Sequence, residues 1–104
     1  MVGHWPTLEV MDFEWDLAKS NSCQTSRNFD FAYVISIFKD PTLLLECDQR
    51  RDYGEERFRA LGVIDGKVFV VVFTRRPRAI RIISARRANS REVKHYEKNS
   101  SSEC

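Results

Sequence analysis

Glycine is scarce in this chain of 104 residues, with four in all, and none stands in the spacing that opens a helix onto a pyrophosphate. That excludes a glycine-rich nucleotide loop. The two histidines, His4 and His95, are too isolated to propose a triad, and there is no nucleophile-elbow motif. Three cysteines (Cys23, Cys47 and Cys104) are scattered, with no pair at metal-ligand spacing and no Cys/His cluster for zinc. The expectation is reduced thiols, no metal and no cofactor. The longest apolar run, Val68 to Phe73, is far too short to span a bilayer. No apolar signal-peptide core opens the chain, so the expected location is the cytoplasm.

What is present is charge, unevenly spread. Charged residues make up 31% of the chain and apolar ones 42%, the balance of an ordinary globular domain. A length of 104 residues fits one domain spanning 1–104, with 1–10 and 99–104 expected to be flexible ends. Residues 75–98 hold nine Lys and Arg against Glu92 and Glu97, a balance of +7. The first 74 residues carry eight basic and twelve acidic side chains, a balance of −4. Such a split points to a polyanion or an acidic partner at the C-terminal third.

Periodicity orders the elements. Met11 to Trp15 alternates and predicts a short strand, after which Asp16 can cap a helix over 17–25. Asp30 caps a second, where Phe31, Val34, Ile35 and Phe38 recur at helical spacing until Asp40-Pro41 ends it. Residues 42–47 read as a strand, and 48–56 as a charged loop with Gly54 as its flexible point. Residues 57–64 and 67–74 flank Asp65-Gly66 as a hairpin, and Val68 to Phe73 is apolar enough on both faces to be central. Arg78 to Ala85 forms the last strand. Asn89 and Glu92 make a capping box for a helix starting at Ser90. The predicted fold is α+β in the order β-α-α-β-β-β-β-α. It is an antiparallel meander with two N-terminal helices and one C-terminal helix, the helices over one face.

Chemistry, where present, rests on arginine. Arg57 and Arg59 alternate onto one face of a strand, and Arg81 and Arg86 belong to the last strand and its exit. Alternation places Arg81 on one face of that strand and Ser84 on the other. Guanidinium groups hold phosphate bidentately and stay charged, which suits the transition state of RNA cleavage by a 2′-hydroxyl. That reaction needs no metal. It needs a base, an acid and cations, and Glu55, Glu56, His95 or Tyr96 can supply the proton transfers. For each of these residues the plainer reading is a rim salt bridge or a packed ring.

Three stretches resemble the BrnT toxins, small bacterial ribonucleases of type II toxin–antitoxin modules: Phe13-Glu14-Trp15-Asp16-Leu-Ala-Lys19, Gly54-Glu-Glu-Arg-Phe-Arg-Ala-Leu-Gly62, and Arg81-Ile-Ile-Ser-Ala-Arg86-Arg-Ala88 with Glu92 and Tyr96. The resemblance covers roughly residues 11–97. It implies a RelE-like fold, a cytoplasmic endoribonuclease cleaving RNA without metal or cofactor, and inhibition by a BrnA-like ribbon-helix-helix antitoxin. DNA would be reached only through that antitoxin. As an RNA-cleaving toxin the chain would use Arg57, Arg81, Ser84 and Arg86 on the scissile phosphate, with Glu56 or Tyr96 moving protons. One departure stands out. Where family members carry Lys-His-Gly-Val after the first helix, this chain has Ser26-Arg27-Asn28-Phe29 and lacks the imidazole. A catalytically silent antitoxin-binding or co-repressor module is therefore the alternative. A direct duplex binder using the basic C-terminal helix is a third reading.

Overall fold

The computed structural model describes residues 12–48 and 55–98. The N-terminal extension, the Gly54 point of the charged loop and the serine-rich tail anticipated from sequence lie outside them. The chain runs through β1 (Asp12–Trp15), α1 (Leu17–Arg27), α2 (Phe31–Val34), a 3-10 helix (Ile35–Lys39) and β2 (Leu44–Cys47). It continues through β3 (Phe58–Ile64), β4 (Lys67–Arg76), β5 (Ala79–Arg87) and α3 (Ser90–Lys98).

Local chemistry sets the ends of α1. Asp16 Oδ1 accepts from the N–H groups of Ala18 and Lys19 at 2.8 and 3.3 Å, satisfying donors the first turn leaves open. At the other end Asn28 takes φ 68 and its N–H returns to the Gln24 carbonyl. The left-handed region favours glycine and tolerates asparagine, so Asn28 fills the position where the resemblance places Gly. Asp30 caps α2 through the Tyr33 N–H. The single helix expected over 31–38 is instead one α-turn followed by the 3-10 helix, a tightening that brings Ile37 and Phe38 onto the sheet. Ile37 fits there because residue 62 is glycine: a Cβ on Gly62 would stand 2.8 Å from Ile37 Cβ.

The five strands lie in the order β1-β5-β4-β3-β2, with β4 central as its two-faced apolar run requires. The β3–β4 hairpin turns through Asp65 at φ 52 and Gly66 at φ 77, the paired positive values of a tight hairpin turn. Two expectations need correction. The sheet is mixed and not a pure antiparallel meander, because β1 pairs parallel with β5, Asp12 opposite Ala79 through Trp15 opposite Ile82. Nor do all helices share a face. The first two helices and the 3-10 helix cover the side carrying Phe58, Phe69, Val71, Phe73, Ile80 and Ile82. Helix α3 seats Tyr96 on Leu44, Leu61 and Val70, which alternate to the opposite side. The thiol expectation also divides: Cys23 is a free, buried thiol, whereas Cys47 is disulfide-bonded.

Candidate active site

Strand register assembles a row of cations on the α3 side of the sheet. Arg81 lies opposite Thr74, Ser84 opposite Val72 and Arg86 opposite Val70. Across β4, Arg59 also faces Val72 and in turn lies opposite Glu46 of β2. Arg57 precedes β3, and its guanidinium reaches Glu55, which also pairs with Arg76 of this face. A β-bulge decides this arrangement. Phe73 pairs with Ile82 while Val72 pairs with Ser84, leaving Ile83 as the extra residue. The strict alternation that separated Arg81 from Ser84 is thereby reset, and both lie on one face.

Carboxylates from distant parts of the chain meet these arginines. Arg81 bonds Glu14 at 3.0 Å and Arg59 bonds Glu46 at 2.7 Å. Arg86 grips both oxygens of Glu92 at 2.7 Å each. Glu55 pairs with Arg76 at 2.9 Å and reaches Arg57 at 3.8 Å. The bonds from Arg86 draw the Glu92 carboxyl down to about 2, against the opposition of its burial. Burial likewise opposes ionisation of Glu46, but hydrogen bonds from His95 and Arg59 outweigh it and hold that carboxyl below its usual range. His95 Nε2 lies 2.5 Å from Glu46. A histidine, a carboxylate and an arginine therefore form one connected group, and Arg59 is close enough to help lower Glu92 as well.

The residues singled out from sequence separate into two sets. Arg81, Ser84 and Arg86 share one face, and Arg57 adjoins it through Glu55. Glu56 does not join them: its side chain is 78% exposed and faces Arg75, on the opposite side of β4, at 3.8 Å. Tyr96 is buried, and its hydroxyl donates to Asp40 at 2.5 Å beside a 2.6 Å bond with Thr42. Burial and the Asp40 carboxylate both raise the phenol further. It anchors α3 to the sheet. The imidazole on the arginine face is that of His95, hydrogen-bonded to Glu46. Glu46 went unread because an isolated acidic residue in a four-residue strand carries no motif, although its two-residue spacing from buried Leu44 assigns its face.

A second feature adjoins this face at the edge of β5. Strand β1 pairs only with residues 79–82, and beyond them α1 lies along β5. The cleft between them, of about 360 Å³, is lined by Lys19, Ser22, Cys23, Arg27, Ser84 and Arg86 among others. Arg27, the residue in place of the family imidazole, thus reaches the same cleft as two of the grouped residues. Among the described residues no three His, Cys, Asp or Glu side chains gather as a metal-binding set.

A mixed sheet with helices on both faces, bearing arginines beside a carboxylate-held histidine, defines a small α+β domain. The chain is matched over residues 15–92 by the family model of BrnT, the ribonuclease toxin of type II toxin–antitoxin systems, and it belongs to that family. An antitoxin partner follows from membership. Comparison with curated proteins found no match. Among the described residues no helix is long and apolar enough to cross a membrane.

Proposed function

We propose that this protein is an endoribonuclease toxin that cleaves cellular RNA in the cytoplasm without a metal or cofactor. A BrnA-like ribbon-helix-helix antitoxin neutralises it and carries the complex to DNA. The observation that carries the reading is the convergence of Arg59, Arg81, Ser84 and Arg86 on one sheet face, with Arg57 beside it, in a member of a ribonuclease toxin family. In this mechanism the arginines take the nonbridging oxygens of the scissile phosphate, exchanging carboxylate partners for substrate. Ser84 donates a further hydrogen bond. His95, oriented by Glu46, transfers the proton between the 2′-hydroxyl and the leaving oxygen.

Induced expression tests this directly. Wild-type protein is expected to arrest growth and degrade cellular RNA. Arg81→Ala with Arg86→Ala should lower cleavage by about a hundredfold or more, the scale at which a lost charge-stabilising group acts. Undiminished cleavage by the double variant removes both from the site. A second reading, a silent antitoxin-binding and co-repressor module, is favoured by Ser26-Arg27 standing where the family carries Lys-His. Intact RNA after induction, together with tight antitoxin binding, would select it.

A further inference from the structure

Arg27 lines two clefts. Beyond the one containing Ser84 and Arg86 lies another of about 590 Å³, between the end of α1 and the adjoining ends of β4 and β5, with Tyr33, Phe69, Lys67 and Arg87 in its walls. Its aromatic wall is built. Phe69 meets Phe29 edge-on at 5.1 Å and Tyr33 at 5.8 Å, while Tyr33 as a residue remains 38% exposed. Two carboxylates on this side bond Tyr33, one at its hydroxyl and the other, which also lines the cleft, at its backbone N–H as the cap of α2. Asp65 accepts from the Tyr33 hydroxyl at 3.1 Å, and Asp30 accepts from the Tyr33 N–H. The cations differ from those of the arginine face. Arg87 lies over the Phe69 ring at 5.8 Å, and among the described residues no ion pair engages Arg27, Lys67 or Arg87. Uncommitted positive charge beside an exposed, fixed aromatic ring is the recognition chemistry of a single-stranded nucleotide, with the base on the ring and its phosphate on the cations.

We propose that this cleft is a subsite for a nucleotide flanking the scissile bond, in which Tyr33 stacks a base and Arg27, Lys67 and Arg87 hold the neighbouring phosphate. The proposal rests on the ribonuclease reading for its substrate class. A single strand crossing Arg86 and Ser84 would pass over Arg27 into the second cleft. An A-form duplex does not fit, because its paired bases are not free to stack on a side chain.

The test is equilibrium binding of a fluorescent single-stranded oligoribonucleotide, with the matching duplex as comparison. Tyr33→Ala and Arg87→Gln are each expected to weaken single-strand affinity about tenfold, the scale of one lost stacked base. Tyr33→Phe should retain it. Lys67→Gln, a surface change, keeps the test readable should Tyr33→Ala loosen α2. Affinity equal to wild type in Tyr33→Ala, Arg87→Gln and Lys67→Gln overturns the subsite, as does a wild type that prefers the duplex. Cleavage of the same single-stranded oligoribonucleotide, read beside its binding, separates the two ideas. Failure of wild-type protein to cleave it sinks the ribonuclease and leaves the subsite to stand or fall on the binding data.

Discussion

Glu92 does two jobs with one carboxylate. It accepts from the Asn89 N–H while Asn89 accepts from its own, closing the capping box, and it holds Arg86 through both oxygens. The first job was legible in the three-residue spacing; the second was not, because it depends on α3 folding back across β5. With its folded value near 2 and an ordinary value of 4.5, ionised Glu92 stabilises the fold at any pH above the ordinary value. That stabilisation fades as pH falls from about 5 toward about 2. Arg86 is 40% exposed and water screens the pair, so Glu92→Gln should cost only about 1–2 kcal/mol at neutral pH. Urea unfolding of both proteins at neutral pH and in acid checks this. A stability gap that persists undiminished at the lowest pH would assign the loss to the cap and not to the charge. Glu56 and Tyr96 show the opposite limit. Both have residue types suited to proton transfer, yet one sits across the strand from the cations and the other spends its hydroxyl on Asp40. Residue type names a capability, and register decides whether it is available.

Elements were legible wherever the signal was local. The Asp16 and Asp30 caps, the Asp65-Gly66 turn and the capping box at α3 are each contained in a few consecutive residues. What the sequence withheld depends on pairing between distant segments. The parallel contact of β1 with β5 joins residues some seventy positions apart with every other element except α3 between them, and four alternating residues cannot specify a direction. The bulge at Ile83 is similarly silent, since nothing in Ile-Ile-Ser marks an inserted residue. Its effect is nonetheless decisive, because without it Ser84 would face α1 and leave the arginine row. The break between α2 and the 3-10 helix has a partner that sequence does contain, Gly62. Gly62→Ala would press its methyl on Ile37 Cβ at 2.8 Å and on the Ile37 carbonyl and Leu43 side chain at 3.1 Å each. Since backbone must shift to relieve it, the expected cost is about 1–3 kcal/mol, measured by thermal unfolding. A variant as stable as wild type would mean the 3-10 segment rides loosely on β3.

For the whole molecule, charge read along the chain and charge after folding differ. The +7 balance of residues 75–98 promised a broad cationic surface. Folding brings Glu14, Glu46, Glu55 and Glu92 to that surface, and each neutralises an arginine of the face or its rim. An arginine already bound to a carboxylate releases few counterions when it exchanges that partner for a phosphate. Arg27, Lys67 and Arg87 of the second cleft, by contrast, enter no ion pair among the described residues. Affinity for single-stranded RNA should therefore fall only gently with salt. Counterion release gives a slope of about −0.7 per neutralised phosphate, so about three contacts predict a log–log slope near −2. A titration at several salt concentrations between about 50 and 200 mM measures it, the interval over which wide phosphate interfaces lose orders of magnitude. A slope near −6 would mean the face arginines give up their carboxylates on binding and the footprint is wide. A shallow slope, combined with lost affinity in Arg87→Gln, would locate the grip at the cleft and leave the arginine face for the scissile phosphate alone.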